Sequence, residues 1–290
     1  MKRTNILWLA FLLITVNASP APARAADPQE SGTAASYYDE GVKCHGSGRY
    51  EEAVEAYRRA IRRDPAFAEA YNNLGNAYAE MGRYEEAVAA LLQATRIRPG
   101  YAAAHHNLGV AYADSGDYGR AAEAFEQALR LRPEHFATYN SLGKVYVNLR
   151  RYGEAAAAFA QATRLKPDDA EAQHNAGYAL YNLGRYERAA DAFKSALRLR
   201  GDYAAAYNGL GLAYVGMGRR AEAVEAFEQV IRLRPDAAEA RLNLGAVYLS
   251  LGRKDAALRQ HAALRDLNPA MAARLFEAVY RNKLLVVTYR

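Results

Sequence analysis

The chain has 290 residues, 51% of them apolar, with 38 lysines and arginines against 32 acids and a formal charge of +6. Its single cysteine, Cys44, excludes an intramolecular disulfide framework. Much of the basic excess sits at the start, because without Lys2, Arg3 and Arg24 the charge is +3, so charge does not mark a nucleic-acid binder.

Lys2 and Arg3 are followed by apolar residues from Ile6 to Val16 and then by small residues and prolines, the order of a secretory signal peptide. Ala23-Arg24-Ala25 offers a small-x-small cleavage site before Ala26, with Ala18 as a second choice. The apolar run is shorter than the roughly 20 residues that a spanning helix needs. Residues 1–25 are therefore expected to be removed and the product exported, periplasmic in a Gram-negative bacterium and secreted otherwise, with no stable membrane insertion after cleavage. Residues 26–33, ADPQESGT, are small and polar and read as a flexible leader.

From Ala34 to Met271 the chain divides into seven blocks of 34 residues without insertion: 34–67, 68–101, 102–135, 136–169, 170–203, 204–237 and 238–271. Position 8 of every block is glycine, from Gly41 to Gly245, and position 20 is always alanine, from Ala53 to Ala257. A glycine inside a helix costs about 1 kcal/mol relative to alanine, so its recurrence implies close approach of helices. Apolar and aromatic residues at positions 4, 7 and 11, such as Tyr71, Leu74 and Tyr78, have helical spacing. Glycine at position 15 of six blocks closes the first helix in a left-handed conformation. A second helix follows, with an aromatic at position 24 in five blocks (Tyr57, Phe125, Phe159, Phe193, Phe227) and proline at position 32 in most. Each block is thus a pair of antiparallel helices that cannot bury its own apolar face, and stability accumulates between neighbours.

These positions resemble the tetratricopeptide repeat family, whose 34-residue helix-turn-helix unit carries the same large, Leu, Gly, Tyr, Ala, aromatic, Ala and Pro pattern. The resemblance implies an all-α fold, a right-handed α-solenoid of seven units with a concave face lined by the first helices. Departures are local: Glu40 for leucine, Arg150 for the turn glycine, Gly201 for proline and His261 for the aromatic. Arg150 must adopt a conformation that side chains avoid, or reshape its turn. Cys44 stands where other blocks place tyrosine and reads as a core residue. Residues 272–290 are expected to form a C-terminal capping helix and tail, with Leu275, Phe276, Val279 and Tyr280 on one side of the helix and the closing LLVVTYR either packed back or paired with another chain. Basic residues at positions 29 and 31, such as Arg98 and Arg132, suit the negative end of the second helix.

No catalytic constellation, cofactor site or metal-ligand spacing stands out, since equivalent residues of neighbouring units lie about 10 Å apart. His106 and His174, one intervening unit apart, cannot share a metal, and His105 and His106 point in different directions. A non-enzymatic role follows. Asparagine recurs mid-helix at position 5 (Asn72, Asn140, Asn208) and position 6 (Asn73, Asn107, Asn175, Asn243), although it is a mediocre helix former. An amide offers both donors and acceptors, enough to grip a peptide backbone without reading sequence, or to bond between helices and stiffen the array. The position 6 residues are similar to those of the tetratricopeptide arm of O-linked N-acetylglucosamine transferases, where they hold extended peptides. Asp39, Ser141 and Gly209 interrupt that pattern, and no transferase domain follows. Asn76 and Lys144 at position 9, and the aromatic candidates Tyr178 and Tyr181, complete the peptide-binding set. Position 5 holds no lysine, so the carboxylate clamp of chaperone adaptors is absent. The expected function is a scaffold or adaptor that binds a peptide segment or helix of another protein, in envelope assembly or secretion. An accessory subunit of a glycosyltransferase or polysaccharide export system is the alternative.

Overall fold

A computed structural model describes residues 32–281 of the chain. Helices alternate between 13 and 14 residues: α1 (Ala34–Gly46), α2 (Tyr50–Arg63), α3 (Ala68–Glu80), α4 (Tyr84–Ile97), α5 (Ala102–Asp114), α6 (Tyr118–Leu131), α7 (Phe136–Asn148) and α8 (Tyr152–Leu165). The series continues through α9 (Ala170–Asn182), α10 (Tyr186–Leu199), α11 (Ala204–Gly216), α12 (Arg220–Leu233), α13 (Ala238–Ser250) and α14 (Lys254–Leu267), and closes with α15 (Pro269–Arg281). The fold is all-α and solenoidal. Each helix packs on the next, and from α1 to α11 each odd-numbered helix also touches the following odd-numbered one, which places those helices on the inner side of the curve.

The glycine at position 8 has a specific partner. A Cβ on Gly109, Gly143, Gly177 or Gly211 would stand 2.6–2.8 Å from the phenylalanine at position 24 of the same pair, and Gly41 meets Tyr57 in the same way. Those rings are almost fully buried. In the second pair Leu91 fills the place and lies 2.5 Å from the virtual Cβ of Gly75. The pairs are then joined through position 11. Tyr146 donates its hydroxyl to Glu126 Oε1 (2.6 Å) in the pair before, Tyr248 does so to Glu228 Oε1 (2.8 Å), and Tyr78 accepts from Arg58 (2.6 Å). Burial first, and then the bond to Glu126, pushes the Tyr146 hydroxyl up to about 12, so it remains protonated as a donor. Cys44 is buried within this core.

Six turn glycines have φ between 71° and 84°, and Arg150 takes the same turn at φ 57°. Of the two outcomes left open for Arg150, the left-handed backbone is the one realised. A side chain there costs about 1–2 kcal/mol. Arg150→Gly is therefore expected to raise the melting temperature by about 2–4 °C, a shift to be read by calorimetry.

The two ends differ from the sequence reading in detail. Gly32 and Thr33, assigned to the flexible leader, belong to the first helix cap: Thr33 Oγ1 accepts from the Ser36 N–H (3.1 Å) and the Gly32 N–H donates to the Tyr37 hydroxyl (3.1 Å). The capping helix starts at Pro269 rather than Ala272, because a proline needs no N–H partner in a first turn. Its apolar residues do not share one side. Leu275 is fully buried, whereas Phe276 and Tyr280 are 45% and 54% exposed, beside His261 and Lys254. The expected signal peptide and the LLVVTYR tail lie outside the described residues.

Candidate functional site

The candidate asparagines fall into two groups along the inner helices. In the first group the amides are chained to one another. Asn107 Nδ2 donates to Asn72 Oδ1 (2.9 Å), Asn72 Nδ2 to Asn73 Oδ1 (3.1 Å), and Asn73 Nδ2 to the Tyr38 hydroxyl (3.0 Å). This chain ties α5 to α3 and α3 to α1. Asn72 is only 5% exposed, and Asn243, at the far end, only 3%, so both present little surface to a ligand.

In the second group, on α7, α9 and α11, the amides are under-satisfied. Asn140 Oδ1, Asn175 Nδ2 and Asn208 Oδ1 are buried atoms without a hydrogen-bond partner among the described residues. The rest of each of these side chains is half-buried. An unpaired buried amide atom costs about 1–3 kcal/mol, so three on successive inner helices are unusual.

The other candidates surround this group. Lys144 Nζ is held by Glu171 Oε1 (2.7 Å), which bridges α7 to α9 and spends its charge inside the array. Tyr178 and Tyr181 are half-buried on α9, with Tyr181 packed on Tyr186 at 5.6 Å. Asn76 is half-buried on α3, away from the unpaired amides.

Comparison with known proteins settles the family. A tetratricopeptide model described as the C-terminal domain of cilia and flagella-associated protein 70 matches residues 23–231, and a tetratricopeptide repeat model matches residues 208–272. The chain is a tetratricopeptide repeat protein. No curated protein matches it. Among solved structures the array is similar to YrrB, described as a tetratricopeptide protein with an unusual peptide-binding site, at 28% identity and TM-score 0.60, covering 63% of this chain and 95% of that one. It is also similar to MamA, residue 41 onward, from Desulfovibrio magneticus RS-1, at 27% identity and TM-score 0.56, covering 59% of this chain and 96% of that one. The Cut9–Hcn1 hetero-tetramer of the APC/C matches at 21% identity and TM-score 0.56 over 84% of this chain and 48% of its own, which shows the fold alone. These relatives point to a scaffold built for protein binding and indicate no enzyme family.

The sequence reading missed one cluster in this tetratricopeptide array. His106 of α5 and His135, in the turn before α7, both place Nδ1 on Thr138 Oγ1, at 2.8 and 2.6 Å, with their rings edge to face at 5.4 Å. Thr138 is buried, at 1% exposure. Burial and the neighbouring His135 hold the His106 ring down to about 4, and burial with Arg132 lowers His135 as well. A signal was present in the sequence: position 5 and position 34 of one unit are ring partners in alternate units, as Tyr38 with Phe67, His106 with His135, and His174 with Tyr203.

Proposed function

We propose that the protein is an exported, non-enzymatic scaffold that holds an extended segment of another protein along its inner helices, gripped mainly by the fourth to sixth units. The observation that carries this reading is the row of unpaired amide atoms on Asn140, Asn175 and Asn208. A bound main chain presents N–H and C=O groups about every 3.3 Å, so it can supply donors to two of these amides and an acceptor to the third across helices about 10 Å apart. Tyr178 and Tyr181, on the middle helix, add aromatic surface for the side chains of that segment. The peptide-binding description of YrrB is consistent with this use of the array. Export rests on the basic start, the apolar run from Ile6 to Val16 and the cleavage site before Ala26, and envelope assembly or secretion is the setting that export provides.

The test starts with the partner captured by affinity from the native envelope fraction, whose binding segment is then measured by fluorescence anisotropy. The triple change Asn140→Ala, Asn175→Ala and Asn208→Ala should weaken binding about tenfold or more, without lowering the melting temperature. The double change Asn73→Ala and Asn107→Ala should instead lower the melting temperature, because it breaks bonds between units. Unchanged affinity in the triple variant would refute the grip assigned here. N-terminal sequencing of the mature protein should begin at Ala26.

A further inference from the structure

We propose that the crevice between the third and fourth units is a carboxylate-binding site that holds its ligand more tightly when one of its two imidazoles is protonated. The crevice, about 240 Å³, is lined by Ala102, His106, Asn107, Arg132, His135 and Thr138 among others. Its small walls leave room for a carboxyl group, and its polar groups converge from α5, the turn after α6, and α7.

The cation is kept where its acid is missing. Arg98, at position 31, pairs with Glu69 at position 2 (2.7 Å), and Lys166, at the same position, pairs with Asp169 at position 34 (3.0 Å). In the third unit the corresponding residues are Ala103 and His135, and Arg132 has no ion pair among the described residues. With an imidazole where Lys166 finds a carboxylate, the Arg132 guanidinium has no fixed acid beside it. A fork of guanidinium donors suits a carboxylate brought by another molecule.

The hydroxyl of Thr138 sets the proton count. It has one proton to donate, so one of the two Nδ1 atoms accepts it and the other must carry a hydrogen and donate back. His106, the more deeply buried ring, suits the accepting role, and His135 the donating one. His135 Nε2 is then bare and has no partner among the described residues. A proton added there creates a second outward donor and leaves both bonds to Thr138 intact. A second proton, on His106, would break the triad, so the site holds one charge and not two.

The other titratable groups on the packed elements do not compete. On α5, His105 bonds to the Pro99 carbonyl (2.9 Å). On α6, Arg130 is held by Gln127. Glu134, in the turn beside His135, and Tyr139 of α7 do not line the crevice, and Lys144 is paired with Glu171. Arg132 and the two rings are the charges that act on one another. Arg132 opposes protonation of the empty site, and an entering anion cancels that opposition. Affinity for a carboxylate therefore rises as pH falls through the titration of His135.

The carboxylate is that of a segment held along the inner helices, and to that extent the inference rests on the preceding reading. The probes are small molecules, so the two can fail separately. N-acetylglycine represents a chain terminus and N-acetylaspartate N-methylamide an acidic side chain, each titrated into the full chain while the His106 and His135 imidazole resonances are followed by NMR. Binding is expected to be several-fold tighter at about pH 5.5 than at about pH 8, up to the roughly tenfold ceiling set by a rise of about one pH unit in the His135 midpoint when the site is full. Arg132→Gln should abolish binding, and Arg132→Lys should retain part of it. Thr138→Val should free the two Nδ1 atoms from their shared hydroxyl and leave only the direct charge effect between the rings. Tighter binding of either probe supports the site and tells which source it prefers. No binding by either, binding independent of pH, or unchanged binding in Arg132→Gln would overturn it, whatever the captured partner does.

Discussion

Replacing Phe193 with alanine is expected to lower the unfolding free energy by about 3–5 kcal/mol, measured by urea denaturation followed by circular dichroism. The ring is fully buried and lies against two glycines, Gly177 of its own unit and Gly209 of the next. Neither glycine has a side chain that could relax into the space, so the void stays open and the cost falls toward the upper end. His174 also rests on this ring, at 5.6 Å between centroids, and would lose its support. Phe193 also joins the fifth unit to the sixth, because it meets Gly209 of α11 as well as Gly177 of α9. In an array stabilised by neighbours, loss at such a junction should split the transition, with α11 to α15 unfolding apart from the rest. A single unsplit transition with a small shift would mean that the fifth and sixth units are joined by other contacts.

Leu275→Ala is the second large effect, expected at about 2–5 kcal/mol. In the seventh unit the residue at position 24 is His261, which turns to Phe276 (5.6 Å), and the virtual Cβ of Gly245 lies 2.6 Å from Leu275 instead. The capping helix thus supplies the side chain that the seventh unit lacks. Hydrogen exchange should show protection lost in α13 to α15 and kept elsewhere. Phe276→Ala, on the exposed side of the same helix, should change stability by no more than about 0.5 kcal/mol.

The repeat pattern carried most of the fold because its positions encode contacts within one unit. Glycine at position 8 with a ring at position 24, and glycine at position 15 with a positive φ, each state a local geometric need. His261 was visible as a departure, but its compensation by Leu275 was not, since the partner lies outside the repeat and has no fixed spacing. The functional face was less legible. The matched asparagines at positions 5 and 6 were visible, but not that Asn72, Asn73 and Asn107 satisfy one another while Asn140, Asn175 and Asn208 do not. That difference depends on which neighbour reaches across, such as Tyr38 in the first unit. The His106–His135 pair was missed because histidines were compared at equivalent positions and as sequence neighbours. Position 34 folds back over position 5 of its own unit, a contact the repeat register does not suggest.

The way each hairpin closes bears on how such a chain can change length over evolution. In units one to six the glycine at position 8 meets a ring or leucine at position 24 of the same hairpin, so a duplicated interior hairpin brings that contact with it and keeps the register its neighbours pack against. The last hairpin has given up that independence to α15. It and its cap must be inherited as one piece, and lengthening of this array by gene duplication should insert copies upstream of that piece.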